Sequence, residues 1–245
     1  MSEYKHNHYV PVWYQRRFML PGQTCYWRLD LKPEVVDTGK VKYTRNDLHE
    51  WSPEKIFAED DLYTTRWGSI SNRDIEKFFF GRFDNAGPAA IEYFSKYTSD
   101  GASETAFNVL LPYMSVQKLR TPKGLADLSE QARTGSANMT LMALQQLQNL
   151  YCAVWTEAVW QIADASNSPT KFIISDHPVI VYNRACPPLS KSCLGHHDPD
   201  VRMNATHTYF PVSLDKVKGK AFLIYWSWDG GGRWARWERI GQLIY

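Results

Sequence analysis

The sequence predicts an α+β fold in which a central helical layer packs on an antiparallel or mixed sheet built from the N- and C-terminal parts. Three observations carry that prediction. Residues 71–165 hold stretches with apolar side chains at i, i+3/i+4 spacing, the period of an amphipathic helix. Residues 1–70 and 166–245 hold short runs of period-two character between Gly- and Pro-containing turns. No internal repeat or low-complexity linker divides the 245 residues, so a single domain is expected over the whole chain.

The elements follow in order. Pro11 suits the first position of a helix, and Tyr14 and Phe18, four residues apart, share one face of it. Strands are expected over Cys25–Leu31 and Lys40–Thr44, with Pro21-Gly22 and Thr38-Gly39 as the turns around them. Ser52-Pro53-Glu54 reads as the start of a short helix, and Leu62–Thr65 as a brief strand. Ser71-Asn72-Arg73-Asp74 resembles a capping box with Asp in place of Glu, and Ile75, Phe79, Phe83, Ala86 and Ala90 follow at helical spacing. Gly87-Pro88 is expected to break or kink that run. A third helix, bent at Pro112, spans about Ser103–Leu119 and stops at Arg120-Thr121-Pro122, because the residue before a proline avoids helical geometry. A fourth begins there. After Thr134-Gly135-Ser136, a stripe from Met139 through Leu147 to Ile162 predicts one long buried helix. The last third turns to strands: Lys171–Ser175, Val179–Tyr182, Thr206–Val212 and Ala221–Trp228.

Composition narrows the classes. Apolar residues make up 44% and charged residues 22%, which excludes disorder for most of the chain. A formal net charge of +2 gives no case by itself for a dedicated nucleic-acid binder. No apolar run reaches the ~18 residues of a membrane helix, and the first residues lack a signal-peptide core. A cytoplasmic protein without a membrane partner is expected, with reduced thiols at Cys25, Cys152, Cys186 and Cys193. The 10 Trp point first to an aromatic core and second to a stacking surface for a planar ligand.

Several motifs recur in a recognisable order: Lys5-His6-Asn7-His8-Tyr9-Val10-Pro11 with Arg16-Arg17-Phe18, then Leu62-Tyr63-Thr64, Ile75-Glu76, Arg120-Thr121-Pro122, Ser175-Asp176-His177-Pro178 and Phe210-Pro211-Val212-Ser213. Over residues 5–215 this series resembles an uncharacterised, mainly bacterial family catalogued as domain of unknown function 4238. In that family Asn is commoner at the position of His177, and an acidic Glu is usual near Asp84. The resemblance implies membership and no agreed activity, so chemistry has to be read from the residues.

His8 precedes a helix start, where backbone N–H groups and the helix dipole favour an anion and depress a histidine pKa. It is a candidate neutral base or metal ligand, with Arg17 completing an anion clamp. The alternative is a histidine that bonds a backbone carbonyl and orders the turn. His6 and His8, two apart in a strand, would share one face. Arg120 joins two helices and suits a bidentate grip on phosphate or carboxylate; the alternative is a structural ion pair, for instance to Asp176. Asp176 and His177 at a strand end suit a ligand or general-base role, or a plain turn cap. Glu76 and Asp84, two turns apart on one helix face, are candidates with Asp176 to hold a divalent cation such as Mg²⁺ or Mn²⁺. Tyr14, Arg17 and His177 are the expected substrate-contacting side chains. Cys186, Cys193, His196 and His197 do not match a standard zinc spacing.

Phosphate-loop, dinucleotide, Gly-x-Ser-x-Gly and His-Glu-x-x-His signatures are absent from the sequence. The first expectation is therefore a phosphodiesterase or nuclease-like hydrolase with His8, Arg120 and Asp176 converging in one pocket, within ~10 Å of each other. The final 45 residues carry 7 Lys or Arg against 3 Asp or Glu, with Trp226, Trp228, Trp234 and Trp237, which suits a nucleic-acid strand. By analogy, small bacterial nucleases of this size serve as toxins or phage-defence effectors. The alternative is a non-catalytic binding or assembly module, acting as a homo-oligomer or with a protein partner.

Overall fold

The computed structural model describes residues 5–96, 104–156, 158–164, 172–183, 206–214 and 218–225. The architecture is α+β. Chain order begins with β1 (His6–His8), α1 (Val12–Arg16), β2 (Tyr26–Leu29), β3 (Val35–Asp37), β4 (Lys42–Thr44), β5 (Leu48–Trp51), β6 (Ala58–Asp60), β7 (Thr65–Trp67) and β8 (Ile70–Asn72). A π-helical turn over Ile75–Phe80 runs directly into α2 (Gly81–Ser95). Then follow α3 (Glu104–Leu119), α4 (Pro122–Ala132), α5 (Ala137–Gln146), α6 (Leu150–Thr156), β9 (Val159–Asp164), β10 (Ile180–Asn183), β11 (Thr206–Leu214) and β12 (Lys218–Tyr225).

The C-terminal strands form an antiparallel sheet in the order β10-β11-β12-β9. The N-terminal strands do not join it. Among the described residues they pair as separate two-stranded ribbons, β1 with β6, β2 with β5, β3 with β4 and β7 with β8. The sheet docks on the helices through aromatic side chains. Phe210 of β11 stacks on Tyr14 of α1 at 5.5 Å between ring centroids and tilts against Tyr113 of α3 at 6.2 Å. Trp160 of β9 meets Phe107 of α3 edge-on at 5.0 Å. Tyr14, Tyr113 and Phe210 are fully buried, so part of the aromatic content joins helices to sheet.

Two glycines set how closely the helices approach. A Cβ on Gly87 of α2 would stand 2.9 Å from the Tyr113 ring and 3.0 Å from Trp13, so its absence lets α1 and α3 close on α2. A Cβ on Gly124 would stand 2.3 Å from the Lys118 carbonyl and 2.7 Å from that of Leu119, which makes the tight α3–α4 junction a glycine position. The junction falls at Arg120-Thr121-Pro122 as the sequence predicts, and the structure adds its cap: Thr121 accepts from the Gly124 N–H at 3.1 Å, and Pro122 occupies the first turn of α4.

The structure departs from the sequence reading at five places. The run Met139–Ile162 is not one helix. α5 ends at Gln146, a turn through Leu147–Asn149 leads to α6, and Ile162 lies in strand β9 opposite Phe222. Val159, Trp160 and Ile162 are strong strand formers, and pairing with β12 outweighs the helical spacing they also satisfy. Met139 and Met142 are consequently exposed, while Leu141 and Leu144 carry the buried face. Residues 52–54 form a turn closed by Lys55 N–H to the Ser52 carbonyl at 3.0 Å rather than a helix. Leu62–Thr64 is likewise a turn, with β7 starting at Thr65. α2 continues through Pro88 without ending. The Lys171–Ser175 expectation gives no strand over residues 172–175. The loop with Cys186, Cys193, His196 and His197, and the tail with Trp226, Trp228, Trp234 and Trp237, lie outside the described residues.

Candidate functional site

The motif residues gather where β1, the π-helical turn, α2 and the end of α3 meet. Arg120 follows the last residue of α3 and is 1% exposed. Its two Nη atoms each donate to a carboxylate oxygen of Asp84 at 2.9 Å, and its Nε donates to Gln117 Oε1 at 2.9 Å. The guanidinium lies over the Phe80 ring, 5.4 Å from its centroid. Burial works against the charge, yet Asp84, with Tyr63 and Tyr113 behind it, raises the Arg120 pKa beyond its ordinary value. The structural partner of Arg120 is therefore Asp84, one helix away, and not Asp176.

The other motifs tie to the same residue. The Tyr63 hydroxyl donates to the Arg120 carbonyl at 2.8 Å, and the Tyr63 N–H donates to Asn7 Oδ1 at 3.2 Å. Gln117 Nε2 donates to the Tyr9 carbonyl at 2.8 Å. Arg120 thus ties α2 to α3 through its guanidinium and the Asp61–Thr64 turn to α3 through its carbonyl, and the Tyr63 N–H extends the network to Asn7 of β1.

Glu76 sits on the π-helical turn, eight residues before Asp84. Its Oε2 is buried without a hydrogen-bond partner among the described residues. Burial pushes its pKa up to about 7; Arg120 pulls it down and Asp84 pushes it further up. A buried carboxylate oxygen without a donor is costly, so the proton is retained toward neutral pH.

His8 closes the open side. β1 pairs with β6, placing His8 opposite Ala58, and the His6 and His8 rings lie on one face at 5.1 Å. His6 is anchored by Asp60 at 2.9 Å. His8 Nε2 is 3.2 Å from the Glu54 carbonyl, an acceptor, so Nε2 carries the proton and Nδ1 keeps its lone pair. Burial lowers the His8 pKa against the Glu54 hydrogen bond; His6 lowers it further, and Asp84 is near enough to act in the opposite sense. The ring is a neutral base at physiological pH.

The remaining predicted residues fall elsewhere. His177 is buried against the second residue of the Arg-Thr-Pro motif, with Nδ1 2.5 Å from Thr121 Oγ1 and Nε2 2.6 Å from Lys118 Nζ. Burial, Lys118 and Lys123 push its pKa down to about 3. Asp176 is exposed, without a hydrogen bond or ion pair among the described residues, and its charge is felt at Tyr9, whose pKa burial and Asp176 push up to about 12. Tyr14 is a core residue under Phe210. Arg17 donates to Glu92 at 2.8 Å. Asp84 pairs with Arg120, and its charge acts on Glu76 and on His8; His177 meets the junction at Thr121, and Asp176 acts on it only through its charge at Tyr9. Among the described residues no three His, Cys, Asp or Glu side chains are grouped to hold a metal ion.

With this geometry in hand, the comparisons add a family. A family described as "Protein of unknown function (DUF4238)" matches residues 6–215. The chain belongs to it. Membership of DUF4238 spans β1 through β11, so the whole junction around Arg120 lies inside the matched region. No curated protein and no solved structure matches the chain. Among the described residues no helix is long and apolar enough to cross a membrane.

Sequence reasoning missed Gln117, Tyr63 and Lys118 as members of these clusters. The signal for Gln117 was its position three residues before Arg120 on one helix face. Nothing in the sequence marks Lys118 as the partner of His177, since their proximity arises only from the fold.

Proposed function

We propose that the chain is a hydrolase of phosphodiester bonds directed at nucleic acid, with Glu76 and His8 as its proton-transfer groups. The observation that carries this reading is Glu76: a carboxylic acid with an unpartnered buried oxygen, a pKa of about 7, and a histidine of lowered pKa on which the same Asp84 charge acts. Two titratable groups whose environments push their pKa values apart are the arrangement that acid–base chemistry at neutral pH requires. His8 Nδ1 accepts the proton of an attacking water. Protonated Glu76 donates to the leaving oxygen. Arg120 and Asp84 are positioning residues, because the guanidinium is enclosed and fixes the helix that carries Glu76. A divalent cation such as Mg²⁺ or Mn²⁺ would displace the Glu76 proton and is therefore the alternative to acid catalysis by Glu76, which the metal and chelator arms of the test separate; a toxin or phage-defence role is the proposal's biological form.

The test is incubation of the purified chain with labelled DNA, RNA and nucleotides, each with Mg²⁺, with Mn²⁺ and with a chelator. Cleavage is expected, with an optimum between the lowered pKa of His8 and the value of about 7 for Glu76. Glu76→Gln should remove the alkaline limb together with most of the rate. A chain that cleaves none of these substrates under any condition overturns the reading.

A second reading, a non-catalytic binding or assembly module, is favoured by the ribbons β2–β5 and β3–β4. These form an arm whose residues Trp27, Leu29 and Leu31 are 66%, 58% and 84% exposed. Light scattering decides it: a stable oligomer that Trp27→Ser with Leu29→Ser disperses favours assembly.

A further inference from the structure

An open cleft of about 720 Å³ lies between the C-terminal turn of α1, residues 19–25 and the Ser52–Glu54 turn. Its volume is that of a small-ligand site. Met19, Leu20 and Pro21 give it an apolar wall, and the Arg16–Glu54 ion pair lines it. The Arg16–Glu54 contact of 2.6 Å joins side chains that are 63% and 51% exposed. Ion pairs this open are weak and readily exchanged. Gln23 is held at one end: its Oε1 accepts from the Leu20 N–H at 2.7 Å, which fixes the amide and leaves Nε2 free to donate into the cleft.

We propose that this cleft is a nucleotide-binding subsite, in which a phosphate takes Arg16 from Glu54, the base lies on the Met19–Pro21 wall and Gln23 Nε2 donates to a carbonyl or phosphate oxygen. The guanidinium matches a phosphate bidentately, so the exchange replaces one charge-assisted pair by a better one. An acidic peptide would satisfy the charge but bring no flat body for the wall. Glu54 links the cleft to the proposed chemistry. Its carboxylate faces the cleft while its carbonyl receives the His8 Nε2–H, so a strand seated at Arg16 runs past the turn that holds His8. The inference rests on the hydrolase reading for that last step alone.

The experiment is fluorescence anisotropy of the full chain with a short fluorescein-labelled oligothymidylate. Binding is expected, weakened about tenfold by Arg16→Ala, as for the loss of one charge-assisted contact. Gln23→Leu should weaken it severalfold. Glu54→Gln, which keeps the backbone carbonyl and hence the His8 bond, should tighten it by removing the competing carboxylate. Failure of the oligonucleotide to bind, or binding indifferent to Arg16→Ala in a variant that melts with the parent, overturns the subsite. Competition by inorganic phosphate or polyglutamate at the same concentration as unlabelled oligonucleotide overturns its assignment to a nucleotide. Arg16-dependent binding in a chain that cleaves nothing sustains the subsite and removes the hydrolase reading instead.

Discussion

Arg120 and Thr121 are neighbours in the chain and head two polar clusters of opposite character. Arg120 gathers charge: it pairs with Asp84, whose charge also acts on His8 and on Glu76, whose Oε2 has no partner among the described residues. Thr121 gathers a closed chain of hydrogen bonds. Its hydroxyl oxygen accepts from Gly124 N–H and from His177 Nδ1–H, and His177 Nε2 accepts from Lys118. That tautomer satisfies both ring nitrogens with one proton, and it agrees with a histidine held neutral by burial. The difference teaches where chemistry can reside. A satisfied buried network fixes geometry, whereas a buried carboxylate oxygen left without a donor beside an ion pair keeps a proton available near neutral pH.

Removing the centre of the charged cluster should cost most. Arg120→Met leaves Asp84 without its guanidinium inside the fold, and breaking a buried pair from one side costs about 3–5 kcal/mol. Urea unfolding should report that loss, and Asp84→Leu added to it should restore a good part by deleting the stranded charge. A loss under about 1 kcal/mol, the range of an exposed pair, would break the comparison at its strongest point.

The closed cluster should yield less. Gly124→Ala forces a Cβ against the Lys118 carbonyl, and overpacking of this kind costs about 1–3 kcal/mol. Thr121→Val removes the helix cap and the His177 partner while keeping the volume, for about 1–2 kcal/mol. Both changes should leave the pH optimum of any activity in place. A shifted optimum in Thr121→Val would make the two clusters one.

Their pH signatures should have opposite sign. The folded pKa of Glu76 is raised from 4.5 to about 7, so its contribution to stability is full below 4.5 and is lost as pH rises through about 7. That of His177 is lowered from 6.5 to about 3, so its contribution is full above 6.5 and is lost as pH falls toward about 3. Glu76→Gln should flatten the first limb and His177→Asn the second, each leaving the other unchanged. Melting temperatures of the three proteins across pH 3–9 check both signs together.

What the sequence made legible follows from range. Caps and turns are local, so Thr121-Pro122, Ser136, Gly22 and Gly39 act where a reader of residues places them, as N-caps and left-handed turns. Arg120 was legible from its junction as an anion grip or a structural ion pair. Its partner was not, because Asp84 lies 36 residues away and only the packing of α2 on α3 through Gly87 selects it over Asp176. The stripe after Met139 misled for the same reason: the strand pairing of Ile162 with Phe222 is set by a segment 60 residues later. Glu76 and Asp84 were placed two α-helical turns apart, whereas Glu76 lies on the π-helical turn, and the guanidinium that Asp84 meets is brought by α3.

His8 gives the smallest expected effect on stability and the sharpest test of the comparison. Its one hydrogen bond, to the Glu54 carbonyl at 3.2 Å, is partly open to solvent. His8→Ala should therefore lower stability by no more than about 1 kcal/mol. If the ring only orders the turn, that loss is the whole effect, and specific activity per folded molecule stays at the parental level. If its free Nδ1 is the base, activity vanishes from a protein that still melts within a few degrees of the parent. His8→Gln separates the two further, since the amide N–H can replace the bond to Glu54 but cannot accept a proton at neutral pH. Stability restored by His8→Gln with activity still absent assigns His8 to the charged cluster as its reactive edge; activity restored along with stability returns it to the scaffold.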